Sequence, residues 1–274
     1  MTEQRLQNAF TDVDKSNMPQ RRVQYLDFQR TIAFTQMYKQ RARTLLDVQP
    51  GHLVLDAGCG TGQDACETAR LVGSSGHVIG FDFSQVMLDT ARQRAQDTVL
   101  PISFQQGDIH HLPFAAGYFD RCYADKTFQH VADPGQALSE LVRVLKPGGR
   151  LVSVDPDHDT MVLASPYPEL THRFLRFSRS GMRQPDIAHQ AYAFFKDAGF
   201  IDVTVEPLTW IQTDYEAIRE FVPYAENMRF AQKQGAFTGA EADQWIAAFE
   251  ESVRTGRFLR AVTYFITVGN KPAS

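Results

Sequence analysis

The chain has 274 residues, enough for one domain with elaborations or at most two, and 43% of them are hydrophobic and 22% charged. This composition is typical of a globular protein and excludes an intrinsically disordered one. The formal net charge of −4 excludes a strongly basic chain of the kind that binds nucleic acid through its bulk charge.

The N-terminal part of the chain has the pattern of a helix. Residues 21–46 contain neither glycine nor proline, and their apolar side chains recur at helical spacing. Pro50 and Gly51 then interrupt the pattern. We therefore assign residues 1–46 to an N-terminal helical segment that serves as a lid, and residues 47–274 to the main domain.

Short apolar strands alternate with helices in the middle of the chain. The pattern predicts strands at 52–56, 77–82, 102–105, 119–124 and 151–155, and helices at 64–71, 84–97 and 133–145. Ser84 is a plausible cap at the start of the second of these helices. The alternation predicts a doubly wound α/β fold, in which helices cover both faces of a mostly parallel sheet.

The pattern is less regular beyond residue 155. It predicts helices at 170–177, at 187–198 and in pieces of 215–252, and strands at 200–210 and 258–268. The last two strands would complete the sheet at one edge. Helical insertions at about 156–185 and 211–257 would then lie over the sheet.

A glycine-rich turn, Gly-Cys-Gly-Thr-Gly at residues 58–62, follows the first predicted strand. Glycine permits positive φ and lets a ligand approach the backbone, and the helix after the turn presents free N–H groups. Gln63 stands where the dinucleotide fingerprint has its third glycine, so a turn that cradles a pyrophosphate fits less well. A tight turn without a ligand is the alternative.

Three carboxylates follow successive predicted strands. Asp82 could accept hydrogen bonds from both hydroxyls of a ribose. Asp108, beside the apolar Ile109, suits an adenine, because its carboxylate could accept a hydrogen bond from the exocyclic amine. Asp125 stands where open α/β sheets hold their ligands. Each of the three could instead cap a helix or stabilise a turn.

Five motifs in this order resemble the class I S-adenosyl-L-methionine-dependent methyltransferases, and in particular the branch that includes ubiquinone and menaquinone biosynthesis methyltransferases. The motifs occupy residues 54–62, 80–84, 107–114, 119–134 and 137–151. The similarity covers about residues 45–155 and is specific for the fold and the cofactor, and much less so for the substrate. It implies a seven-stranded Rossmann-like sheet whose last strand is antiparallel and lies beside the sixth.

The resemblance also implies which residues bind S-adenosyl-L-methionine: Tyr25, Gly58, Cys59, Gly60, Asp82, Phe83, Met87, Asp108, Ile109, Ala124 and Asp125. The glycine turn would line the methionine part of the cofactor. The backbone at 124–125 would lie beside the sulfonium and the substrate, and Tyr25 would close over the cofactor. In the adenosine part, Asp82 would hold the ribose, and Phe83 and Met87 would lie near the adenine.

Methyl transfer needs position and a dry site from the protein, because the cofactor carries the reactivity. An oxygen or acidic-carbon acceptor would also benefit from a general base. His158 and His130 are the candidate catalytic residues, although either could be a structural histidine. His110 and His111 are more typical of a solvated turn. No grouping has the spacing of metal ligands, so we expect no metal.

The expected activity is methyl transfer to a small, partly apolar metabolite, on oxygen, carbon or nitrogen, in secondary or quinone-type metabolism. Two alternatives stay open: a cyclisation or elimination with the cofactor retained, or a cofactor-binding domain that regulates a partner. Arginines at 173, 176, 179 and 183 could meet an acidic substrate, but a solvated helix face is the stronger interpretation.

Partners and compartment follow from features that the sequence lacks. It has no appended basic domain for nucleic acid, no membrane-spanning run and no readable signal peptide. Its three cysteines include no Cys-x-x-Cys pair, which favours reduced thiols over a disulfide scaffold. We expect a cytoplasmic enzyme with a small-molecule substrate, no nucleic acid and no membrane partner. The oligomeric state is left open.

Overall fold

The computed structural model describes residue 10, residues 13–15 and residues 19–273. Seven strands form one sheet in the order β3-β2-β1-β4-β5-β7-β6. Their bounds are β1 Leu53–Ala57, β2 His77–Asp82, β3 Ile102–Gln106, β4 Phe119–Asp125, β5 Leu145–Leu163, β6 Ile201–Gln212 and β7 Arg260–Asn270. Strands β1 to β5 are parallel, and β7 lies antiparallel between β5 and β6. The predicted doubly wound, mostly parallel sheet is confirmed.

Helices cover both faces of the sheet and build a cap beside it. They are α1 Pro19–Thr31, α2 Ala33–Leu46, α3 Gln63–Val72, α4 Gln85–Ala95, α5 Pro134–Val144, α6 Pro168–Arg179, α7 Ile187–Asp197, α8 Tyr224–Lys233 and α9 Gly239–Arg254. Helices α5 and α7 share one apolar core with the sheet, and α2 and α3 share another on its opposite face. Helices α6, α8 and α9 form a separate core around Phe174 and Trp245. None of the helices described is both long and apolar enough to span a bilayer.

The helices next to the site begin where local capping dictates. The Ser84 hydroxyl accepts a hydrogen bond from the backbone N–H of Met87 at the start of α4. Asp133 does the same for Gln136 at the start of α5. Each cap satisfies an N–H that the first helical turn leaves free. Because these caps follow the ends of parallel strands, they place the helix starts at the carboxyl edge of the sheet.

Two sequence-based expectations need correction. Residues 21–46 form two helices, because Ile32 adopts an extended conformation (φ −78°, ψ 122°) between α1 and α2. Residues 156–163, expected within a helical insertion, continue β5 and pair with β7 from Pro156 to Leu163, with an irregularity after Asp157. The pairing with a strand about 100 residues later in the chain overrides a local sequence that is typical of a loop.

Candidate active site

A cavity of about 1920 Å³ opens at the carboxyl edge of the sheet. Twelve of the predicted site residues line it: Tyr25, Gly58, Cys59, Gly60, Asp82, Phe83, Met87, Asp108, Ile109, Asp125, His130 and His158. Ala124 does not. Its side chain is fully buried in the core below the cavity, because successive side chains of a strand point to opposite faces. The topology therefore brings together residues that are 133 positions apart in sequence, from Tyr25 to His158.

The glycine turn is held between β1, β2 and β4. The backbone N–H groups of Gly58 and Cys59 donate to the Phe81 carbonyl at 2.7 and 3.1 Å. Gly58 has φ +78°, and a Cβ there would overlap the side chain of Thr127. The Thr127 hydroxyl donates to the Ala57 carbonyl at 2.9 Å. Glycine at position 58 therefore makes room for a neighbouring side chain that ties β4 to the turn.

Asp82 braces the same turn. Its Oδ2 accepts from the Gly60 N–H at 2.7 Å, and its Oδ1 accepts from the Ser84 N–H at 2.8 Å. Burial raises the pKa of this carboxyl. Each carboxylate oxygen can accept more than one hydrogen bond, so two ribose hydroxyls can still be received here. Asp82 thus shapes the turn as well as offering acceptors to a ligand.

We expect Asp82→Ala to weaken cofactor binding by about 1.5–3 kcal/mol, the usual scale for hydrogen bonds to a charged group. Because the substitution also leaves the N–H groups of Gly60 and Ser84 without their acceptor, it should lower the melting temperature. Calorimetric titration with S-adenosylhomocysteine, beside thermal unfolding, measures both effects. Asp82→Asn is the matched control, since its amide oxygen can keep one backbone bond. Unchanged affinity in both variants would contradict a role in binding.

Asp108 and His110 form a pair at the turn after β3. The Oδ1 of Asp108 accepts from both the backbone N–H and the imidazole Nδ1 of His110. Burial raises the pKa of Asp108, but the two hydrogen bonds from His110 lower it more, so the pKa lies below its ordinary value. His110 Nε2 accepts from the Asp133 N–H at 3.1 Å, and its side chain is only 15% exposed. The expectation of a solvated turn at His110 is therefore wrong, because the ring links two strand-end loops.

An acidic cluster in the cavity wall joins Asp125, which the sequence predicted, to two carboxylates that it did not, Asp56 and Asp64, and to Lys39 of α2. Lys39 Nζ forms ion pairs with Asp64 and, at 2.8 Å, with Asp125. Burial, and then the charge of Asp64, raise the pKa of Asp56 well above its ordinary value. Asp56 stands two residues before the first glycine of the turn, which was a usable signal. Lys39 gave none, because it reads as an ordinary polar residue of a helix.

Two oxygens of the acidic cluster are buried without a hydrogen-bond partner among the described residues: Oδ2 of Asp56 and Oδ1 of Asp125. A buried acceptor left unsatisfied is unfavourable, so such oxygens suit a ligand that brings donors or positive charge. Lys39 and Arg43, which lies 3.3 Å from Asp64, supply two positive charges against three carboxylates. The cluster is thus suited to a cationic ligand group.

A family model described as a methyltransferase domain matches residues 49–199, which span β1 to α7 and include the glycine turn and the acidic cluster except Lys39. The chain belongs to this methyltransferase family. It is an S-adenosyl-L-methionine-dependent methyltransferase, as the order of its motifs predicted.

Two relatives and one solved structure are similar to this chain. An uncharacterized 37.1 kDa protein in transposon TN4556 of Streptomyces fradiae is 37% identical over 248 residues, 90% of this chain and 70% of that protein. A 2-phytyl-1,4-naphtoquinone methyltransferase of Synechococcus elongatus is 34% identical over 183 residues, 66% of this chain and 75% of that protein. The fold resembles the YcgJ protein of Bacillus subtilis, with a TM-score of 0.59 and 21% identity over 86% of this chain and 97% of that one.

The acidic cluster of the methyltransferase fits its cofactor. S-adenosyl-L-methionine carries a sulfonium and an ammonium at its methionine end, and the orphaned oxygens of Asp56 and Asp125 can face positive groups and N–H donors. At the adenosine end, the Phe83 side chain is 59% exposed and Ile109 is buried, and both line the cavity. The residues present are therefore complementary to the cofactor in charge at one end and in polarity at the other.

Both candidate bases of the methyltransferase are neutral near pH 7. Burial lowers the pKa of His158 to about 4 and that of His130 to about 3. His158 Nε2 lies 3.4 Å from the Gln129 side-chain oxygen. The His130 ring packs 5.6 Å from the Phe10 ring. Each ring thus holds an unprotonated nitrogen, as a base must, but the lowered pKa also makes each histidine a weaker base.

Proposed function

We propose that this methyltransferase transfers the methyl group to a small, partly apolar organic acceptor. The observation that carries the proposal is that the cavity continues past the cofactor-binding strand ends into a space with aromatic walls. These walls are Tyr25, Phe28, Trp210, Phe221, Tyr224 and Tyr264. Aromatic walls favour an acceptor that buries apolar surface. The relative from Synechococcus elongatus, which is named for a naphthoquinone, supports an acceptor of this kind.

We propose that residues 1–46 and 211–257 act as lids over the cavity. Their described parts touch each other: the ring of Tyr25 lies 5.3 Å from that of Phe221, and Phe28 stacks on Phe221 at 4.7 Å. Arg21 also donates to the Glu220 carbonyl at 3.3 Å. This closure keeps water from the reacting atoms, and it must open for ligands to exchange.

When bound, the cofactor supplies an electrophilic methyl carbon on a positively charged sulfur. The chain holds the acceptor in line with that carbon and excludes water from the cavity. We assign His158 as the base that accepts a proton from an acceptor oxygen or acidic carbon, with His130 as its competitor. Both line the cavity and both are neutral near pH 7. An acceptor nitrogen with a free lone pair would not need either histidine.

Transfer of a tritium-labelled methyl group tests the proposal. The enzyme is incubated with labelled S-adenosyl-L-methionine and a cell extract, which is then separated into low-mass organic, protein and nucleic-acid fractions. We expect label in the low-mass organic fraction, and its loss when excess S-adenosylhomocysteine competes for the site. Label only in protein or nucleic acid would contradict the proposal. Cofactor binding without any transfer would favour the cyclisation, elimination or regulatory alternatives.

A further inference from the structure

Arg260, at the start of β7, is a buried cation in the wall of the cavity. Its exposed fraction is 7%. Its Nη1 donates to the side-chain oxygen of Gln212, its neighbour on β6. Its guanidinium carbon lies 5.6 Å from the centre of the Trp210 ring. Its Nε–H is buried and has no hydrogen-bond partner in the part of the chain that the structure describes.

None of the described carboxylates forms an ion pair with Arg260. The partners that the structure gives it, the Gln212 side chain, the Trp210 ring and the Tyr224 hydroxyl, are neutral. By contrast, Arg179, which also lines the cavity, is paired with Asp159. A guanidinium does not lose its proton in a protein, and a buried charge without a counter-charge is strongly unfavourable. An anion would complete the site at Arg260.

The groups around Arg260 place it beside the proposed base. After burial, the charge of Arg260 is the next cause that lowers the pKa of His158. The same charge opposes the rise that burial causes in the pKa values of Tyr25 and Tyr224. All three groups line the cavity. A ligand anion at Arg260 would therefore sit among aromatic side chains and within the electrostatic reach of His158.

We infer that Arg260 binds a carboxylate carried by an aromatic acceptor and so selects acidic acceptors. The inference rests on the proposed function, because it assigns the end of the cavity that the acceptor would fill.

The position of Arg260 argues against the cofactor's own carboxylate as its ligand. Asp125, at the end of β4, is level with Val154 of β5 and Ile266 of β7. Arg260 lies two strands away from β4 and six residues from Ile266 along β7. At the ordinary rise of a strand, six residues span roughly 20 Å. The acidic cluster, which suits the methionine end of the cofactor, is therefore remote from the backbone of Arg260.

The test compares 2-naphthoate with 2-naphthamide, which have the same shape and differ in charge. Binding of each is measured by calorimetry to the full chain saturated with S-adenosylhomocysteine. We expect the wild type to bind the naphthoate about tenfold or more tightly than the amide, the scale of charge-assisted hydrogen bonds. Arg260→Met should abolish this preference, and Arg260→Lys should retain part of it. Arg257→Met, the same change at a side chain 73% exposed, should leave it intact.

The affinity for S-adenosylhomocysteine, measured separately, should stay within about twofold in Arg260→Met and also reports that the variant is folded. If Arg260→Met does not fold, Arg260→Lys and Arg260→Gln carry the comparison. The inference is overturned if the wild type shows no preference for the naphthoate, or if the preference survives loss of the guanidinium. It is also overturned if the substitution weakens S-adenosylhomocysteine and not naphthoate. If no methyl transfer is found but the preference for the naphthoate still depends on Arg260, the proposed function is rejected and the inference about Arg260 stands.

Discussion

Replacing His158 with glutamine is expected to slow the methyl-transfer step by about 10²–10⁴-fold, the usual contribution of a general base. Glutamine keeps a polar group of similar reach beside Gln129 but cannot accept the proton. The measurement is single-turnover transfer at saturating cofactor, with the acceptor that the labelling experiment identifies. Melting temperatures of the same samples separate a slower reaction from a less stable fold.

His130→Gln is the matched comparison, because His130 lines the same cavity and is also neutral near pH 7. If His158 is the base, the His130 variant should keep most of the rate. A reversed result would move the assignment to His130. If neither variant slows the step by about tenfold, the enzyme works by proximity alone and the assignment is wrong.

The pH dependence of the wild-type reaction should also reveal a general base with a lowered pKa. The pKa of His158 is about 4, and only the unprotonated form can act as a base. The rate should therefore stay nearly constant as the pH falls from 8 to about 5.5, and then decline as the pH approaches about 4. An exposed histidine would instead lose activity through about pH 6.5.

Gly62→Ala is expected to destabilise the fold by about 2–5 kcal/mol. Gly62 has φ +76°, and a Cβ there would lie 2.7 Å from the Cβ of Ala91 and 2.8 Å from the ring of Phe104. The left-handed conformation costs about 1–2 kcal/mol, and overpacking against α4 and β3 adds about 1–3 kcal/mol. Urea unfolding, followed by tryptophan fluorescence, gives the free energy.

Gly235→Ala separates the two contributions. Gly235 has a similar φ of +77° at the left-handed end of α8, where the N–H groups of residues 235 and 236 donate to the carbonyls of residues 232 and 231, but a Cβ there would meet no described atom within 4 Å. It should therefore lose only the conformational part, about 1–2 kcal/mol. Equal losses in the two variants would mean that α4 and β3 yield to the extra methyl group, and that packing does not require glycine at position 62.

The features that the sequence predicted well depend on near neighbours. The Ser84 cap is formed within three residues of chain, and the strand ends that carry Asp82 and Asp125 follow from a simple alternation of apolar strands and helices. Local hydrogen bonds and periodicity are visible in a single sequence. The resemblance to a family then supplied the cofactor, which no local pattern specifies.

The features that the sequence did not predict depend on distant partners. Lys39 meets Asp125 across 86 positions of sequence, and nothing near Lys39 marks it as buried. The extension of β5 through Leu163 exists because β7 pairs with it, whereas its local composition is that of a loop. Arg260 likewise reads as a polar residue at the start of a strand. Only the folded arrangement reveals its burial.

The placement of β7 also determines when the sheet can be completed. Strand β6 is made before α8 and α9, yet its pairing partner in the described structure is β7, which follows them. Until β7 is synthesised, β5 and β6 both present open edges, and open edges can pair with other chains. The edge strand β6 therefore joins the sheet late, when β7 pairs with both β5 and β6. Damage to β7 would leave β6 without a paired strand among those described, and the open edges of β5 and β6 could then pair with other chains and aggregate.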